Sequence, residues 1–153
     1  MSGPPDILGQ TFDVDVARTI DAAPHRVFRA WVDPALFQRW FEATQLQMDP
    51  REGGLFFIEV EHEGRRWAHY GRYLAVEPPR RLVFTWMSEA THGYETTVTV
   101  TITPVADGRT ELRLTHEGIP ESELSRGHEE GWRSLLATIE PFLGPSDPDG
   151  GDQ

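Results

Sequence analysis

The chain of 153 residues has neither cysteine nor lysine, and no apolar run approaches the roughly 20 residues of a membrane-crossing helix. Without cysteine there are no disulfides, no thiolate nucleophile and no thiolate metal site, so a zinc ion would have to be held by His and carboxylates alone. Without lysine, Schiff-base catalysis and a Walker-type phosphate loop are excluded. All 14 basic residues are arginine, the net charge is −11, and no basic stripe appears, which argues against nucleic acid as a partner. No serine stands in a nucleophile elbow, so covalent acyl chemistry has no support. The N-terminus lacks a basic start followed by an apolar block. These absences lead us to expect a cytoplasmic protein of one domain, with no membrane span and no cofactor.

What the chain does contain is organised around its last apolar-periodic segment, Ile119 to Leu143, which reads as one C-terminal helix. Leu124, His128, Trp132, Leu135, Leu136, Ile139 and Leu143 recur at helical spacing, giving a face that must cover something. Gly127 and Gly131 stand out, since a glycine inside a helix costs roughly 1 kcal/mol relative to alanine. Either they let a large aromatic side chain pack closely, or they leave a cavity open. Pro141 is expected to end or kink the helix, leaving Phe142 and Leu143 as a separate hook.

Ahead of this segment, Phe12, Val14 and Val16 alternate with Asp13 and Asp15 as in a strand with one buried face. Two short helices follow, one carrying Val27, Phe28, Trp31 and Val32 and ending at Asp33-Pro34, the other running from about Ala35 to Trp40. About 75 residues of strand pattern come next, with turns at 49–54, at Glu63-Gly64, at 77–80 and at Asp107-Gly108. Gly71 interrupts one of these strands and marks a bulge or a close approach; whether Trp67 and His69 or Tyr70 and Arg72 face inward stays open. Residues 1–10 and 144–153 read as flexible tails flanking a single domain over 11–143. The order is that of an α+β fold, a curved antiparallel sheet of about six or seven strands gripping one long helix.

The stretches ARTIDAAPHRVFRAWVDPALFQRWF, GRYLAVEPPRRLVFTW, and LTHEGIP followed by GHEEGWRSLLATI make the chain resemble the homologues of the activator of heat-shock protein 90 ATPase. These lie within the superfamily of START, birch-pollen-allergen-like and polyketide-cyclase domains. The resemblance spans about residues 12 to 143. It implies a helix-grip fold with a cavity between sheet and C-terminal helix, which many relatives use to hold an apolar ligand; some eukaryotic relatives are co-chaperones in the stress response.

His116 shares a strand face with Leu112 and Leu114, and His128 lies on the helix stripe, so each could point inward to orient a ligand, move a proton, or simply satisfy the core. Trp67, Tyr70, Trp86, Tyr94 and Trp132 make an aromatic set suited to line a site for a flat apolar molecule, and equally to pack a core; Trp31 and Trp40 read as packing. The candidate ligand-binding set is therefore Trp67, Tyr70, Trp86, Tyr94, His116, His128, Gly131 and Trp132. His62 and His69 with Glu59 and Glu61 read as a solvated hairpin rather than a metal site, and no catalytic residue is assigned. The leading expectation is a binding module, monomer or homodimer, for a lipid or polyketide-like molecule. The alternatives are a cyclase, dehydratase or hydrolase using His116, His128 or Tyr94 as acid and base, and a protein-interaction role.

Overall fold

The computed structural model describes residues 10–143; apart from Gln10, the two expected tails lie outside the described residues. The chain runs β1 (Thr11–Ile20), α1 (Pro24–Val32), α2 (Pro34–Phe41), β2 (Ala43–Met48), β3 (Leu55–His62), β4 (Arg65–Glu77), β5 (Arg81–Ser88), β6 (Thr96–Pro104), β7 (Thr110–Pro120) and α3 (His128–Leu143). The seven strands form one antiparallel sheet in the order β1-β7-β6-β5-β4-β3-β2. The first strand thus sits at one edge and the second at the other, and α1 and α2 carry the chain between them. From β2 to β7 every strand pairs with the next, so the sheet returns by hairpins until β7 closes on β1.

Local chemistry accounts for the helical pair. Pro24 and Pro34 each occupy the first turn of a helix, where a missing N–H costs nothing. Asp33 ends α1 with an extended backbone and begins α2 by accepting from the N–H groups of Ala35 at 3.0 Å and Leu36 at 3.4 Å. Trp31 and Trp40 are buried edge to face with centroids 4.9 Å apart, as their apolar stripes require, and the Trp40 indole donates to the Ala30 carbonyl at 2.8 Å.

In the sheet, Val98, Val100 and Ile102 are buried while the alternating threonines of β6 face out. The two-residue turn at Glu63-Gly64 has both residues at positive φ, 54° and 78°, the geometry of a tight hairpin. Gly71 is a close approach: the strand shift falls later, between Tyr73 and Ala75, and a Cβ at residue 71 would sit 2.1 Å from the Thr85 carbonyl oxygen and 2.3 Å from Phe56 Cζ.

The C-terminal segment differs from a single helix over Ile119–Leu143. Strand β7 continues to Pro120, because Ile119 is fully buried opposite Phe12 of β1. The next residues are held by side chains that compete with helical backbone bonds: Ser125 Oγ donates to the Pro120 carbonyl at 2.7 Å and accepts from the Ser122 N–H at 2.9 Å. A 3-10 turn over Leu124–Gly127 then leads into α3. Leu124 therefore stands outside the helix stripe and is 41% exposed. At the other end the helix passes through Pro141 to Leu143 instead of stopping. In the last turn the proline forfeits little backbone bonding, and Phe142 and Leu143 remain packed on the core as part of the helix.

Helix α3 packs chiefly on β1 and α2. Its C-terminal half is tied there, with Glu140 accepting from the Asp21 N–H at 3.0 Å, and with Thr138 Oγ1, which donates to the Leu135 carbonyl at 2.7 Å, lying 3.3 Å from the Trp40 carbonyl oxygen. Replacing Gly71 with alanine is expected to cost at least about 1–3 kcal/mol, since strand backbone and the Phe56 ring would both have to move; urea unfolding measures the loss.

Candidate functional site

Between the N-terminal half of α3 and the β3–β5 part of the sheet lies a pocket of about 260 Å³, open on one side. Val60 and His62 from β3, Trp67 and His69 from β4 and Trp86 from β5 line the sheet wall; His128, Gly131, Trp132 and Leu135 line the helix wall, with Leu124 and Gly127 from the preceding turn. Phe41 closes the end toward α2. A second void of about 20 Å³, space for one water at most, lies deeper among Trp31, Phe56, Tyr73, Phe84 and Trp86.

Two positions on the helix side of the pocket, Gly127 and Gly131, carry no side chain and are exposed at its open side. A Cβ at Gly127 or Gly131 would meet nothing within 4 Å, so the glycines leave open space and are not there to admit a close-packed ring. Register decides the other wall. Gly71 opposes Phe56, and His69 and Trp67 oppose Ile58 and Val60, so Trp67 and His69 face inward. Tyr70 takes the outer face, 47% exposed, with its ring 5.3 Å from that of Phe57. Arg72, also exposed, reaches toward Glu95. Tyr94 belongs to the loop between β5 and β6, half-buried and outside the residues that line the pocket.

Trp86 is the centre of the aromatic wall. Its ring lies 4.8 Å from that of His69, 5.1 Å from Trp132 and 6.3 Å from Phe41. Beneath it runs a continuous hydrogen-bond relay. Trp132 Nε1 donates to His116 Nδ1 at 2.9 Å, and Thr96 Oγ1 lies 2.7 Å from His116 Nε2 and 2.6 Å from the Trp86 carbonyl oxygen. The carbonyl can only accept, so the threonine proton goes to it and His116 Nε2 carries the proton given to Thr96. The imidazole is neutral and both its nitrogens are committed inside the protein. Burial holds its pKa down to about 3, with the neighbouring His128 adding to the shift.

His69 and His128 are placed differently. His128 Nδ1 lies 2.8 Å from the Ser125 carbonyl oxygen, and His69 Nδ1 lies 3.3 Å from that of Ile58. Burial lowers the pKa of His128 and pushes that of His69 down to about 4, against the pull of each backbone carbonyl, so both rings are neutral at pH 7. His62, by contrast, is exposed beside Glu63. Among the described residues no group of three or more His, Asp or Glu side chains is gathered as a metal site.

The pocket thus brings together Trp67, Trp86, His128, Gly131 and Trp132 of the expected set, holds His116 behind the wall as its brace, and leaves Tyr70 and Tyr94 outside. Sequence reasoning had no means of choosing His69 over Tyr70, and it passed over Phe41, Val60 and Leu135. The signal for the first was the alternation of Phe56, Ile58 and Val60 on the partner strand, which fixes the inward face of β4 once pairing is known.

Residues 21–144 match the family described as Activator of Hsp90 ATPase homolog 1-like protein. An uncharacterized protein of Schizosaccharomyces pombe is 30% identical over 121 residues, which is 77% of this chain but only 34% of that protein, so the chain spans about a third of the length of this curated relative. Among solved structures, a Mesorhizobium loti protein is 27% identical with a TM-score of 0.70, over 86% of this chain and 96% of that one. An HSP90 activator from Plasmodium falciparum shares the fold at 24% identity, with a TM-score of 0.72 over 86% of this chain and 96% of that one.

Two outcomes test the brace. Trp132→Phe removes the donor to the buried His116 Nδ1 and is expected to destabilise the fold by about 1–3 kcal/mol in urea titrations, beyond the loss of ring area. Acid should do so too. In the unfolded chain His116 regains an ordinary pKa of about 6.5, so unfolding takes up a proton once the pH falls below that value. Its share of stability is complete above about pH 6.5 and is lost toward the folded value of about 3, at up to about 1.4 kcal/mol per pH unit. His69 and His128 add to the same limb, so unfolding free energies measured from pH 7.5 down to 5 should drop by more than one histidine's share.

Proposed function

Since this chain belongs to the Activator of Hsp90 ATPase homolog 1-like family and its helix stands off the sheet, we propose that it is a small-molecule binding module whose ligand occupies the pocket under α3. The observation that carries this reading is the pair of helix-side positions, Gly127 and Gly131, that face empty space across from an aromatic wall. A chain selected only for stability would fill such space: at Gly131, inside α3, a larger residue would gain contact area and better helix propensity together. Trp67, Trp86 and Trp132 supply flat contact area at low entropic cost, and the neutral rings of His69 and His128 supply the polar points that fix orientation. The lining is suited to an apolar or aromatic molecule of modest size, of the lipid or polyketide-like kind.

An enzymatic role would have to rest on His69 and His128. His116 has no free nitrogen to move a proton, and Tyr94 does not line the pocket. The protein-interaction reading draws on Leu55, Tyr70 and Leu74, which are 67%, 47% and 40% exposed on β3 and β4. Exposed apolar side chains of this number are ordinary on a protein surface, whereas a cavity kept open at the expense of helix propensity is not.

Replacing Gly131 with leucine places a side chain in open space and improves helix propensity by up to about 1 kcal/mol. The variant is expected to unfold at the same or higher urea concentration while its affinity for the neutral fluorescent probe N-phenyl-1-naphthylamine falls at least about tenfold. Unchanged probe affinity in a folded variant would rule the pocket out as the binding site.

A further inference from the structure

Taking the pocket as a binding site, the protons on its histidines narrow what it can bind. The Nδ1 atoms of His128 and His69 lie 2.8 and 3.3 Å from the carbonyl oxygens of Ser125 and Ile58. A carbonyl oxygen only accepts, so in each neutral ring the proton sits on Nδ1 and Nε2 keeps a bare lone pair. The pocket therefore presents two hydrogen-bond acceptors from opposite walls, one on β4 and one at the start of α3.

The donors on the wall do not balance them. The Trp132 N–H is given to His116, and the Trp86 Nε1 has no solvent-accessible surface from which to reach a ligand. Trp67, half-exposed, and His62, exposed, stand toward the β3–β4 hairpin. Among the described residues no arginine lines the pocket itself, Arg65 lying over the outer part of the Trp67 ring at 4.0 Å, and the chain as a whole carries a net charge of −11. A carboxylate turned toward the two histidines would set its lone pairs against those of two imidazoles, and Arg65, at the hairpin end, is already paired with Glu89.

We propose that the pocket takes a neutral aromatic molecule whose polar end is a hydroxyl or N–H group, donating to Nε2 of His128 or His69, and that it rejects the carboxylate of the same shape. The aromatic body lies against Trp86 and Trp132, and the donor end turns toward the two histidines. Selectivity then comes from the tautomers, which are set by backbone carbonyls on two different elements and do not depend on the ligand.

Isothermal titration calorimetry at pH 7.5 with three probes of one shape tests this: 2-naphthol, 2-methoxynaphthalene, which keeps the oxygen without its proton, and 2-naphthoate. 2-Naphthol is expected to bind about tenfold more tightly than the methyl ether, the usual effect of leaving an acceptor unpaired, and 2-naphthoate more weakly than either. In His128→Phe or His69→Phe, checked for fold by circular dichroism, the preference for the hydroxyl should shrink to about twofold or less while the methyl ether still binds. Naphthoate binding as tightly as naphthol, or a hydroxyl preference that survives in both variants, would overturn the proposal. Equal binding of naphthol and its methyl ether would overturn it as well and leave the pocket as a purely apolar site. Failure of all three probes to bind would overturn the binding-site reading itself and this inference with it.

Discussion

The hydrogen-bond chain from the Trp132 indole through His116 to Thr96 and the Trp86 carbonyl is the constraint on which the pocket depends. It joins α3 to β7, β6 and β5 through side chains that are all nearly or fully buried. Every donor in it has one acceptor, and so the order of protons along it is determined. A helix laid on a sheet by apolar contact alone would slide or settle until the space beneath it closed, because burial is non-directional. The relay is directional. It holds Trp132 against Trp86 while Gly127, in the turn before the helix, and Gly131 border open space.

The two halves of α3 consequently do different work. From Leu136 onward the helix is anchored to β1, α1 and α2 by Leu136, Ile139 and Thr138, with Arg26 of α1 donating to the Leu143 carbonyl. Before Trp132 it borders open space. The aromatic set divides in the same way. Trp31, Phe37 and Trp40 stack into the closed end, where the remaining void amounts to about 20 Å³, while Trp67, Trp86 and Trp132 border the larger one. Phe41, Trp86 and Trp132 stand at the boundary, touching both.

Electrostatics follows from burial. Three imidazoles lie near one another, with the His116 and His128 rings 5.2 Å apart; burial keeps all three neutral, and His128 adds a smaller push at His69 and His116. The interior of a strongly acidic protein thus holds a site without formal charge, and its polarity is carried by lone pairs. A neutral donor is the kind of group such a site stabilises, because meeting it requires no ion to leave water.

Much of this was legible in the amino-acid order. The period-two alternation of β6, the hairpin residues Glu63-Gly64 and Asp107-Gly108, the proline starts of α1 and α2, and the helical spacing from His128 onward are local patterns, and local steric and capping rules are enough to read them. Gly131 was visible as a loss of helix propensity, although the sequence left open whether it admitted a ring or left a space; Gly127, expected inside the same helix, falls in the 3-10 turn before it. Three features needed the folded chain. Where β7 stops and α3 begins turns on Ile119 pairing with Phe12, more than a hundred residues away, and on the serine bonds that follow. Which face of β4 looks inward turns on its pairing with β3, since a slip of one residue exchanges His69 for Tyr70. The protonation of His69, His116 and His128 turns on partners contributed by other strands or by the preceding turn. By itself the sequence determined the elements and the existence of an aromatic, glycine-relieved helix face, because these follow from contacts between near neighbours; only the tertiary structure decided the register, the relay and the hydrogen-bond polarity of the pocket, because these are relations between distant segments that no local pattern encodes.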